Sequence, residues 1–131
     1  MPDQAQPRRS RATRQTVAAL AAAVLVQLVV LYWPTVGVAG PVSWTDKVVH
    51  LLVFAVPAVL VRRLLPDRVW PVLVLAAHAP VSELVQHLLL PGRSGDVGDT
   101  VTDLAGVALG LAAARWWGSR SGRSEAPAAR W

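Results

Sequence analysis

Four long apolar runs separated by short polar links dominate the chain. The first covers 17–33, is interrupted only by Gln27 and is closed by Pro34. Seventeen helical residues rise about 26 Å, close to the roughly 30 Å hydrocarbon thickness of a bilayer. The second covers 48–65, with His50 near its start and Arg62 and Arg63 near its end, where long side chains can reach the headgroups. The third, 69–90, carries Pro71 in its first turn, where a missing N–H costs nothing, and Pro80 inside, where a kink is expected. The fourth covers 101–117. None of the runs has the two-residue alternation of a barrel strand, and no repeat links them. The pattern predicts an all-α integral membrane protein, a bundle of four transmembrane helices over 16–117 between basic tails at 1–15 and 118–131. The tails are rich in Arg, Ser, Pro and Ala and are expected to be disordered.

Composition supports this class. Apolar types make up 53% of the 131 residues and charged types 16%, against about 25% charged in a soluble domain. One small domain fits this length, which argues against a multi-domain enzyme. With no cysteine, disulfides, thiolate nucleophiles and Cys-based metal sites are excluded. The net charge of +5 is carried by short clusters between apolar runs, a pattern of membrane orientation instead of nucleic-acid binding. Lys and Arg number 4 in the N-terminal tail, then 1, 3 and 1 in the three links, and 4 in the C-terminal tail. The positive-inside rule then predicts both termini and the second link in the cytoplasm (N-in/C-in), with the first and third links outside. Trp33 and Trp44 fall at the outer interface, and Trp70, Trp116 and Trp117 at the inner one. The basic tails are expected to meet anionic membrane lipids. The start of the chain, with Gly37 and Ala39 after the first run, also resembles a cleavable signal, but the length of the run and Pro34 favour a retained helix.

The remaining polar residues are the informative ones. Asp46, Lys47 and His50 open the second run, and Glu83, Gln86 and His87 lie in the last two turns of the third. Arg93, Asp96 and Asp99 follow in the third link, and Asp103 opens the fourth run. In the predicted topology all of them lie at the outer ends of their helices. Glu83, Gln86 and His87 share a face through i, i+3 and i+4 spacing, as do Asp99, Asp103, Gly106 and Gly110. The last two form a GxxxG pair that admits a neighbouring helix, which points Asp103 into the bundle and leaves homo-oligomerisation open. Ionisable residues in such places are functional candidates by default.

Each candidate also has a structural reading. Thr45 or Asp46 can cap the second helix, Lys47 can anchor at the interface, His50 can hydrogen-bond inside the bundle and Asp99 can cap the fourth helix. A buried Glu83 needs a partner or a proton, which Arg93 or Lys47 (by charge) or His50 or His87 (by hydrogen bond) could supply. His78, on another face, reads as structural. No protease, P-loop or nucleophile-elbow template fits. His50, His87, Glu83 and the aspartates could hold a divalent ion, but their spacing is not diagnostic of a metal.

Asp46-Lys47-x-x-His50, Glu83-x-x-Gln86, Pro91-Gly92-Arg93, Asp99 and Gly106-x-x-x-Gly110, in this order, resemble the VanZ-like membrane proteins. The resemblance covers about half of the chain. It implies a small multi-span protein of the bacterial plasma membrane with a cell-envelope role linked to teicoplanin susceptibility, with an envelope precursor or a glycopeptide as partner. Carried over residue by residue, it marks Asp46, Lys47, His50, Glu83, Gln86, Arg93 and Asp99 as site residues. Asp103 departs from it, because the family usually has asparagine there. His50 and Glu83 are the candidates for acid/base chemistry. Three functions compete: a binding or resistance factor, an enzyme acting on a lipid-linked envelope substrate, and a proton-coupled carrier. The carrier is disfavoured, because only Gln27 and His78 lie deep in the spans.

Overall fold

The computed structural model describes residues 6–33, 43–91 and 96–121, which form four helices. These are α1 (Gln6–Tyr32), α2 (Ser43–Leu64), α3 (Trp70–Leu89) and α4 (Val97–Ser121). No strand occurs among the described residues. Each helix is long and apolar enough to cross a membrane. Only 11% to 28% of the residues in their most apolar stretches are buried within the protein. Large side chains such as Leu25, Leu73 and Leu89 stay 61% to 69% exposed. A water-soluble monomer rarely shows apolar surface on this scale, whereas a lipid-facing bundle requires it.

The helices differ from the apolar runs mainly at their ends. α1 begins at Gln6, so part of the tail expected to be disordered is helical, and α4 likewise runs on to Ser121. Arg, Ala and Gln are strong helix formers, and an existing helix extends through them at little cost. α2 begins at Ser43, which places Thr45 and Asp46 inside its first turn and not at its cap. Pro71 lies at the start of α3, as expected. Pro80 lies within α3, and the buried Pro57 within α2; both helices continue past them. Pro34, Gly37, Ala39 and Arg93 lie outside the described residues.

The tightest packing is between α2 and α4, which run parallel. A Cβ on Gly106 would fall on the carbonyl oxygen of Leu51, 3.2 Å from its Cα. One on Gly110 would fall on the carbonyl oxygen of Ala55 and 2.8 Å from the Cβ of Ala58. The GxxxG pair is thus used inside the chain, and it turns Asp103, on the same face, inward with no exposed surface. α3 packs antiparallel against this pair, and α1 lies against α2 and α3. A small core of Leu31, Phe54, Ala58, Leu75, Ala79 and Val107 joins the four helices. The result is an up-down-up-down bundle. The starts of α2 and α4 meet the ends of α1 and α3 at one end, while Arg62, Arg63, Arg115 and Trp117 gather at the other.

Candidate functional site

At the first of these ends, side chains from three helices converge on His50. Its Nδ1 donates to Asp103 Oδ1 at 3.0 Å and lies 3.9 Å from Glu83 Oε1. Its Nε2 lies 4.0 Å from Asp46 Oδ2, one turn back on α2. His50, Glu83 and Asp103 are all buried, whereas Asp46 is exposed. Glu83 Oε2 accepts the backbone N–H of Asp96 at 3.0 Å, which ties α3 to the start of α4. Glu83 Oε1 and Asp103 Oδ2 are buried without a hydrogen-bond partner among the described residues. A buried polar atom without a partner costs free energy, so two carboxylate oxygens in this state facing one imidazole mark a place for a ligand, a proton or a cation.

Beside this chamber Lys47 is paired with two aspartates. Lys47 Nζ lies 2.9 Å from Asp99 Oδ1 and 3.5 Å from Asp96 Oδ2. Lys47 therefore does not neutralise Glu83. Asp99 does not cap α4, because its carboxylate is engaged by Lys47. The cap is Asp96, whose Oδ1 accepts the N–H of Gly98 at 2.8 Å. That N–H, helped by the Lys47 ammonium, holds the Asp96 carboxyl below its usual range. The cap had no distinct sequence signal, since Asp96 and Asp99 are both reasonable candidates before one apolar run.

Gln86 is buried and donates through Nε2 to the carbonyl oxygen of Leu31 at 2.9 Å, fastening α3 to the end of α1. Its amide is thus committed to holding the helices together. His87 is exposed, although it was expected on the same face as Glu83 and Gln86; one residue of helical rotation carries it outward. It stands instead on the rim of a groove of about 220 Å³ between α3 and α4 that Glu83, Asp96 and Thr100 also border. His78, read from the sequence as structural, shares a hydrogen bond of 2.8 Å between its Nε2 and the Tyr32 hydroxyl, beside the ring of Phe54. Tyr32 was not evident as a site neighbour, because an aromatic residue at the end of a span reads as an interface anchor.

Among the described residues, two groups of side chains bring potential metal-ligating atoms within 4.8 Å of one another: Asp46, His50 and Asp99, and His50, Glu83 and Asp103. The first is partly exposed, and its Asp99 is already held by Lys47. The second is fully buried and contains both oxygens without partners.

Fold and site together define a helical protein with four potential membrane spans and an imidazole–carboxylate chamber at one end. No protein-family model, curated protein or solved structure matches the chain.

Proposed function

We propose that the chain is a VanZ-like multi-pass protein of the bacterial plasma membrane, with both termini cytoplasmic. Its His50–Glu83–Asp103 chamber opens outward and engages a polar or cationic group of a cell-envelope component, and through it alters susceptibility to glycopeptides such as teicoplanin. The observation that carries this reading is the pair of buried, partnerless oxygens on Glu83 and Asp103 beside His50. Supporting it, the DKxxH, ExxQ and aspartate elements, far apart in sequence, adjoin at one end of the bundle. Production in a susceptible bacterium is expected to raise the inhibitory concentration of teicoplanin. His50→Ala and Glu83→Ala, at equal abundance in the membrane, are expected to abolish the rise. An unchanged concentration with the wild-type chain, or full effect in both variants, overturns the reading.

A second reading, an enzyme acting on a lipid-linked envelope substrate, is favoured by the His50–Asp103 pair, which orients the imidazole for proton transfer beside a groove. Glu83→Gln separates the two. It abolishes turnover where Glu83 moves a proton, and spares binding where only shape and polarity matter.

A further inference from the structure

We propose that the chamber is a divalent transition-metal site, of the zinc class, with His50 Nδ1, Glu83 Oε1 and a carboxylate oxygen of Asp103 as ligands, the ion taking the place of the proton that Nδ1 shares with Asp103 in the metal-free chain, which is released to solvent. The inference deepens the functional reading above and rests on the same chamber. Geometry supports it first. Ligand atoms about 2.0–2.1 Å from a tetrahedral zinc ion stand about 3.3 Å apart. The His50 Nδ1 separations of 3.0 Å to Asp103 Oδ1 and 3.9 Å to Glu83 Oε1 lie on either side of this value. Second, Glu83 and Asp103 are 6% and 0% exposed, and each presents an oxygen with no donor. Two buried carboxylates beside one imidazole concentrate negative charge that a divalent ion would offset. The nearest ammonium, on Lys47, is already committed to Asp99 and Asp96.

The surroundings have the features of a metal site's outer shell. A ligating histidine almost always offers its other ring nitrogen to a carboxylate or carbonyl, which fixes its tautomer. His50 Nε2 has the exposed carboxylate of Asp46 4.0 Å away, longer than a hydrogen bond but within reach of a small side-chain movement. A ligating carboxylate is usually held by a hydrogen bond to its second oxygen. Glu83 Oε2 accepts the Asp96 N–H at 3.0 Å. The groove bordered by Glu83 and His87 lies against one of the three ligands, Glu83. Three protein ligands leave a fourth position open to water or a substrate group, the arrangement of catalytic and not of structural zinc sites. Such a position explains how a buried chamber could engage an external polar group.

The test uses the full-length protein in detergent, stripped with chelator and titrated with Co²⁺ and then with Zn²⁺ in competition. One saturable Co²⁺ per chain, with visible d–d bands of a tetrahedral N/O site displaced by Zn²⁺, is the expected result. His50→Gln, Glu83→Gln and Asp103→Asn should each abolish it while keeping the helical circular dichroism of the wild type. Asp46→Asn should weaken binding about 10–100-fold, as outer-shell changes do. Asp99→Asn should leave the stoichiometry unchanged. Absence of saturable binding by the folded wild type overturns the proposal, as does binding that Asp99→Asn removes and Glu83→Gln spares. Teicoplanin susceptibility is read separately. Loss of the drug effect in Glu83→Ala with no metal in the wild type rejects the metal alone, whereas bound metal with no drug effect rejects the functional reading alone.

Discussion

His50 and Asp103 depend on each other. In the buried chamber, Asp103 is the hydrogen-bond acceptor for the imidazole at 3.0 Å. Asp103→Asn keeps an acceptor oxygen, and its folding stability is expected to stay near that of the wild type. Asp103→Leu removes the acceptor and leaves a buried donor, at a cost of about 1–3 kcal/mol. Thermal unfolding in detergent should therefore separate the two variants, and equal melting temperatures would show that the contact does not support the fold. Which residues gather here was largely legible from helical spacing. Asp103 shares its face with Gly106 and Gly110, and a GxxxG face must meet a neighbouring helix. What spacing could not settle was the choice of partner. Lys47 and Arg93 were both candidates for Glu83; Lys47 turns to Asp99 and Asp96, Arg93 lies outside the described residues, and Glu83 accepts the backbone N–H of Asp96. Such choices depend on the relative rotation and height of separate helices, which a linear pattern does not encode.

The α2–α4 pair is the element on which the site is built. Because Gly106 and Gly110 meet backbone and not flexible side-chain ends, added bulk cannot be absorbed by a rotamer change. Gly106→Val or Gly110→Val is expected to separate the helices and cost about 1–3 kcal/mol, the range for overpacking. Gly118→Ala, where nothing lies within 4 Å, should leave stability at or slightly above the wild type. If all three behave alike in thermal unfolding, the close approach is not what holds α2 to α4. The existence of all four helices was legible from their apolar runs; their ends were not. α1 and α4 extend through Arg- and Ala-containing stretches that read as tail, and the first turn of α2 begins in polar residues ahead of its apolar run. Hydropathy marks where a helix meets lipid, whereas the helix ends where capping and chain propensity end it.

Over the whole molecule the two ends are chemically opposite. One gathers the carboxylates, His50 and Lys47. The other presents Arg62, Arg63 and Arg115 around a cavity of about 420 Å³, with the Arg63 guanidinium 5.2 Å from the centre of the Trp117 ring. The alternation of basic residues along the chain anticipated this separation, because an up-down bundle places alternate links at the same end. The acidic end is proposed to be an outward-facing site. As the chain has no cysteine, single cysteines can report on each end without background. The most direct measurement is labelling of intact cells with a membrane-impermeant maleimide, using His87→Cys on the rim of the groove and Gly118→Cys beside the arginine cavity. If the acidic end faces outward, His87→Cys reacts from outside and Gly118→Cys only after the membrane is opened. The opposite pattern, or reaction of both in sealed cells, would contradict it.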